Sequence, residues 1–547
     1  MDSGSENRRN KRASYDDSGE PKVKNIKYLD LVFSCVCSFM MPAYGFDQIE
    51  IPVKPYWTAF FFCPQFSCLW DIAAFYFSKE SFPPGPRGLP ILGNLLQIGP
   101  NPHQSLARLA KKYGPLMTIY QGSVTTIVAS SAEMAQLILQ KHDADMSGRI
   151  IPDAITTLEH PSHSMAWLHA GEEWRLIRRV LATFLTNTHK LDSLCELRHG
   201  VMVQMVQHVK KYCILGEQRV EIAKLAFTTA LNQMSNTCFS TNVDEYNYQD
   251  TGGFKNSVAN IMETAMIFNV ADYFPLLKAF DPQRLRPMAN AAYGCLEGLC
   301  DKYIYQRLQH RENKSPRHGD LLDSLIDFSE ENESDFTLKH IQVLLVELFL
   351  AGSETSTNTT EWAMTELILH PDKMTKLRNE IAESVSQKGR IEESELLRLP
   401  YLQAVVKETM RLHLAVPFLL PHKTETNVKL KGYEIPKNTQ VLVNAWAIAR
   451  DLDSWENPTS FMPERFLDSE VDFRGQHFSY LPFGSGRRMC PGIPLAHRVV
   501  SLMIASLVYH FEWKLPHDMN PKEHDMTERF GLTLARAVPL VAVPISL

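Results

Sequence analysis

The densest run of chemically pointed residues in the chain is Phe483-Gly484-Ser485-Gly486-Arg487-Arg488-Met489-Cys490-Pro491-Gly492. A thiolate bound to haem iron needs backbone that can approach the porphyrin face, N–H donors that quiet the sulfur, and a nearby cation. Gly484, Gly486 and Gly492 supply the first two and Arg488 the third. Beyond Pro491, residues 495–511 read as helix, so Cys490 is expected beside a helix N-terminus, whose partial positive charge favours a thiolate. The plainer alternative is a glycine-rich turn around a buried structural cysteine. The joint spacing of Phe, Gly, Arg, Cys and Gly favours the iron ligand.

A second cluster, Ala351-Gly352-Ser353-Glu354-Thr355-Ser356, puts small and polar residues in the middle of an apolar helix. Polar groups there break the local pattern and call for a reason. Hydroxyls bonding back to the helix are one such reason. The pair Glu408 and Arg411 has helical i, i+3 spacing, which alone says little because such pairs are common.

Phe483, Gly486, Arg488, Cys490 and Gly492 match the haem-binding signature of the cytochrome P-450 family, and four more motifs fall in that family's order. The resemblance covers residues 83–547. It implies haem b (iron protoporphyrin IX) on Cys490, with Trp174 and Arg178 toward a haem propionate. His422, in Pro421-His422-Lys423, stands where family members often carry an arginine, and is a weaker donor that depends on protonation. Glu408, Arg411 and Arg465 resemble the family's structural triad. Glu354 and Thr355 match the acid and hydroxyl that help deliver the protons dioxygen reduction consumes, where the family's central helix loosens over the haem. Segments aligned with the family's variable recognition regions offer Phe349, Ala351, Phe418 and Phe530 as substrate walls. Residues 86–94, 122–133, 401–411 and 491–498 resemble the plant geraniol 8-hydroxylase-like, terpenoid-oxidising group in particular.

The elements that must position these groups are legible in outline. Residues 337–370 run without proline until Pro371, about nine turns or roughly 50 Å of helix. Residues 116–130 alternate β-branched positions around Gly122 and predict a small sheet. Most of the rest is helix-periodic, which gives a mainly α (α+β) fold of the P-450 type. Residues 1–25 read as a disordered polar tail, 26–82 as membrane anchor and proline-rich hinge, and 83–547 as the catalytic domain. The apolar blocks 29–46 and 56–77, flanked by basic residues, are compatible with one membrane span or two.

With 547 residues, 44% hydrophobic, 22% charged and a net charge of −6, the chain has no basic excess to suggest a nucleic-acid partner. Its ten cysteines show no paired framework, which suits a reducing compartment. The expected location is the endoplasmic reticulum membrane, with the catalytic domain facing the cytosol. The expected partners are NADPH-cytochrome reductase, O2, membrane lipid and a small lipophilic substrate. The expected reaction inserts one oxygen atom from O2 into that substrate, a terpenoid first and a phenolic or flavonoid second. A haem-thiolate isomerase or dehydratase would need no reductase and no Glu354-Thr355 pair. A non-catalytic haem-binding membrane protein would leave both motifs unexplained.

Overall fold

A computed structural model describes residues 82–214, 219–244, 246, 254–388, 391–516 and 519–547. The expected tail and anchor lie outside these residues apart from Phe82. The helices that matter to the site are α1 (Pro102–Tyr113), α2 (Glu172–Phe184), α3 (Ile222–Phe239), α4 (Phe254–Met266), α5 (Leu285–Glu312), α6 (Leu338–Leu369), α7 (Pro400–Leu412) and α8 (Ile493–His510). The fold is mainly helical with small sheets, as expected of a P-450.

Helix α6 owes its length to its ends. Thr337 caps it reciprocally with His340, whose Nδ1 accepts the Thr337 N–H at 3.0 Å, and the run stops at His370 before Pro371. Its 32 residues span about 48 Å and pack against α3, α5, α7 and α8. The expected loosening over the cofactor is not seen, because α6 is unbroken. The hydroxyls of Thr355, Thr357 and Thr359 each donate instead to the carbonyl four residues back, at 2.7, 2.8 and 2.8 Å.

Strands β1 (Leu116–Gln121) and β2 (Val124–Ala129) form the expected hairpin, with Leu116 opposite Ala129. Gly122 turns it at φ +57°, and a Cβ there would lie 2.5 Å from the Tyr273 carbonyl oxygen. β3 (His422–Lys423) and β4 (Gln440–Val443) complete a sheet ordered β1-β2-β4-β3, in which β4 runs parallel to β2. A separate hairpin of β5 (Glu528–Arg529) and β6 (Ala535–Arg536) carries residues 530–534 at its tip.

The tract Pro83-Pro84-Gly85-Pro86-Arg87-Gly88, whose prolines cannot continue a helix and which reads in the sequence as a stiff hinge, lies against the sheet. The Thr118 N–H donates to the Pro84 carbonyl at 3.0 Å, and a Cβ on Gly85 would sit 1.9 Å from the Thr118 oxygen. Asn94 Nδ2 also holds the Pro86 carbonyl at 3.2 Å.

Glu408 and Arg411 are fully buried on α7. Arg411 grips both carboxylate oxygens at 2.7 and 2.9 Å, and Arg465 Nε adds a bond at 3.1 Å. Arg411 also donates to the carbonyls of Ala449 and Pro458 at 2.7 and 2.8 Å, so the buried charges are fully hydrogen-bonded. Among the described residues, α8 alone is long and apolar enough to cross a membrane, yet 67% of that stretch is buried in the core.

Candidate active site

A cavity of about 490 Å³ lies between α6 and the Cys490 loop, lined mostly by apolar side chains. On the α6 side it meets Leu348, Ala351, Gly352, Thr355 and Ser356, and on the opposite side Phe483, Arg488, Cys490 and Gly492. Gly486 does not line it. It holds φ +72° where a Cβ would be 2.0 Å from the Leu139 carbonyl oxygen, so its part is to let the loop turn tightly against that backbone.

The Cys490 N–H donates to the Phe483 carbonyl at 3.0 Å, closing the loop just before α8 begins. Burial raises the thiol pKa, while the Gly492 N–H and the Arg178 charge pull the other way. A Cβ on Gly492 would sit 3.7 Å from the sulfur, so the sulfur's flank is free of side chain.

Arg178 Nη1 donates to the Met489 carbonyl at 2.8 Å. Arg488 gives Nε to the Ser147 carbonyl at 3.0 Å, Nη1 to Met165 at 3.2 Å and Nη2 to Leu168. Both guanidinium groups lie over the Trp174 ring, 5.5 and 4.9 Å from its centroid, and Trp174 Nε1 donates to the Met165 carbonyl at 3.1 Å. Burial, with mutual repulsion, lowers the Arg488 pKa to about 10.

His422 lines the cavity but lacks a free donor. Its Nδ1 lies 2.8 Å from the Met146 carbonyl, which can only accept, so the hydrogen sits there. Burial first, then Arg149, pushes its pKa down to about 3, so the ring is neutral and Nε2 is a bare lone pair. The donor on this wall is Arg149, a residue the sequence reading passed over. Its Nη1 donates to the carbonyls of Leu420 and Pro421 at 2.6 and 2.9 Å, and its buried Nε has no partner. The one sequence signal was a cation opening the apolar run Ile150-Ile151-Pro152.

Glu347 was also passed over, although it is an acid amid apolar residues 343–350. It accepts from the Ser164 hydroxyl and from the N–H groups of Met165 and Ala166 at 3.0 and 3.1 Å. Through Met165, the central helix thereby holds the loop that receives Trp174 and Arg488. Glu173, next to Trp174, lies 2.9 Å from His163 Nδ1 and 3.1 Å from His340 Nε2. The Thr337 N–H on His340 Nδ1 fixes the other hydrogen on Nε2, so this cluster closes on its own hydrogen bonds.

Glu354 does not line the cavity. It is held by Thr533, which does, through a 2.7 Å bond from the Thr533 hydroxyl to Oε1. Burial raises its pKa against the pull of Thr533 and Arg529. Of the expected substrate walls, Ala351 lines the cavity and the three aromatics lie elsewhere. Phe349 is fully buried against Phe254 and Phe239, with ring centroids at 4.5 and 5.7 Å. Phe418 and Phe530 pack on each other at 6.0 Å, and Phe530 also stacks on His103 at 5.5 Å. Their neighbours Val416, Leu419 and Leu532 line the cavity in their place.

Residues 83–539 match the cytochrome P-450 family. The chain belongs to that family. It is 44% identical over 469 residues to ferruginol synthase of Isodon rubescens, covering 85% of this chain and 95% of that protein. It is 43% identical over 468 residues to geraniol 8-hydroxylase of Catharanthus roseus, covering 86% and 94%. It is 45% identical over 468 residues to carnosic acid synthase of Rosmarinus officinalis, covering 85% and 93%.

Cytochromes P-450 bind iron protoporphyrin IX through a cysteine thiolate, and this chain is accordingly an oxidoreductase that uses O2, a redox partner and a lipophilic substrate. The residues present fit that cofactor. Among the described residues, none of Arg149, Arg178 and Arg488 takes part in an ion pair, so the cavity holds three largely buried cations that call for anions. The two haem propionates are anions of the right kind, and among the described residues Cys490 is the one cysteine on the cavity wall.

Proposed function

We propose that the chain is a monooxygenase in which Cys490 would be the thiolate ligand of the haem iron, Arg149, Arg178, Arg488 and Trp174 would hold the haem propionates, and Glu354 and Thr355 serve proton delivery. The observation that carries this is the meeting of Cys490 with three unpaired cations on one cavity. Bound there, the haem supplies dioxygen activation, favoured by electron donation from the thiolate. The protein's own contribution is to keep that space dry and to place proton donors at its edge. Phe483, Leu348, Val416 and Leu419 would exclude water, and the small Ala351 and Gly352 line the same cavity from α6.

The substrate in this reading is a terpenoid, supported by relatives named for making ferruginol and carnosic acid and for hydroxylating geraniol. Electrons come from NADPH-cytochrome reductase, for which the exposed Arg175 and Arg179 of α2 offer a basic surface. The setting is the endoplasmic reticulum membrane with the catalytic domain toward the cytosol, in keeping with the apolar blocks at residues 29–46 and 56–77. The test is a panel of terpenoids and flavonoids scored for the haem spin-state change and then for reductase-dependent product. If terpenoids stay silent and flavonoids respond, the substrate assignment fails. If nothing is turned over with reductase present, the monooxygenase reading fails.

A further inference from the structure

Glu354 and Thr355 are neighbours in sequence but share no hydrogen bond. Thr355 gives its hydrogen to the Ala351 carbonyl at 2.7 Å, along the helix. Glu354 points off the helix toward the tip of the β5–β6 hairpin, where its Oε1 receives the Thr533 hydroxyl at 2.7 Å. Asn358, one turn further along α6, donates Nδ2 to the same Thr533 oxygen at 3.2 Å. Thr533 is 3% exposed and lines the cavity, whereas Glu354 does not reach it and its Oε2 is buried without a partner.

We propose that Thr533 is the hydroxyl through which Glu354 hands protons to the cavity. This rests on the monooxygenase reading above and adds a positioning residue, from a different part of the chain, to its proton path. A threonine hydroxyl has one hydrogen and two lone pairs. In the arrangement observed, that hydrogen lies toward Glu354 and one lone pair takes Asn358. When the carboxylate takes up a proton, the roles reverse: Glu354 donates to the Thr533 oxygen, and Thr533 turns its own hydrogen toward an acceptor in the cavity. Passing that hydrogen outward while the carboxyl hydrogen moves onto Oγ1 transfers one proton. It leaves Thr533 a neutral hydroxyl and Glu354 a carboxylate. Asn358 holds the oxygen in place throughout. Burial keeps Glu354 a better proton carrier than an exposed carboxyl, and Arg529, the charged group whose field it feels, limits the rise.

The experiment compares haem-loaded parent, Thr533→Val and Thr533→Ser. Two readouts are used: the infrared carboxyl band of Glu354, assigned by its loss in Glu354→Gln, and the share of NADPH electrons recovered as hydrogen peroxide with NADPH-cytochrome reductase. Losing a donor to the carboxylate should move the band's titration to higher pH by about one to two units in Thr533→Val. The peroxide share should rise several-fold in the same variant. Thr533→Ser should restore both. A band that titrates as in the parent would show that the contact is absent. A band that moves with an unchanged peroxide share would show that the hydroxyl only anchors the hairpin, and either result overturns the proposal. Failure of the parent itself to oxidise NADPH would overturn the monooxygenase reading and this proposal with it, and is distinct because it precedes any variant.

Discussion

Arg149 lies close enough to His422 for its charge to help hold that imidazole neutral, while the ring's one N–H is engaged by the Met146 carbonyl at 2.8 Å. The two side chains share a cavity wall but are opposite in capacity: one is a cation with an unpartnered N–H, the other a lone pair.

Replacing Arg149 should therefore matter to cofactor retention, and replacing His422 should not. A hydrogen bond to a charged group is worth about 1.5–3 kcal/mol, or about ten- to hundredfold in an equilibrium constant. Arg149→Leu should release haem to apomyoglobin faster by roughly that factor, and His422→Leu should release it at close to the parental rate. Equal losses from both would return His422 to the role of propionate donor.

Cys490→Ser should abolish the carbon monoxide difference band characteristic of thiolate-ligated ferrous haem, because a neutral hydroxyl cannot replace an anionic sulfur donor. The loop should still close, since its hydrogen bond to Phe483 uses the backbone. A retained band would refute the ligand assignment.

Glu408→Ala and Arg411→Ala should each yield little folded, haem-loaded protein. Both residues are fully buried, and removing one partner strands the other charge at a cost of about 3–5 kcal/mol. Soluble yield and haem content are the measurements. Normal folding with lost turnover would move the pair from architecture to chemistry.

Thr355→Ala should leave haem content and the substrate-induced spectral change almost intact, since the variant loses only a bond along its own helix. Product formed per NADPH consumed should fall several-fold if the cavity-facing oxygen orders water for proton delivery. An unchanged ratio would make Thr355 a helix-bonding residue alone.

Glu361, further along α6, gives a pH prediction. Burial pushes its pKa from 4.5 to about 7, despite the bond from the Leu540 N–H at 2.7 Å. The folded protein then holds this proton more tightly than the unfolded chain does. The stability the group contributes is complete below about pH 4.5 and lost as pH rises through about 7, amounting to about 3 kcal/mol. Glu361→Gln keeps an acceptor for Leu540 and should flatten the fall in melting temperature between pH 5 and 8. A slope equal to the parent's would remove Glu361 as its source.

What the sequence reveals follows the range of the interaction that decides each feature. The ends of α6 are local, set by Thr337 and Pro371, and are readable to within a residue. The Cys490 loop and the Gly122 hairpin are likewise short-range patterns. Arg149 is not readable in this way, because its partners Leu420 and Pro421 are 271 and 272 residues away. Phe349 misleads for a related reason. Each step along a helix rotates the side chain by about 100°, so Leu348 and Ala351 face the cavity while Phe349 meets Phe239 and Phe254 on the other side. The histidine standing before Lys423 is legible in the sequence, whereas the cation on the same cavity wall, Arg149, lies in a distant loop.

Glu347 and Glu354 stand seven residues apart on α6, about two turns on one face. One fastens the backbone at 165–166 and the other fastens the Thr533 hydroxyl. Two stretches of chain separated by more than 350 positions thus take their coordinates from a single rod. Such a layout makes the cavity wall partly modular: at 165–166 the acid grips backbone, so the side chains there are replaceable without losing the hold, whereas at Thr533 the hold is the side chain itself.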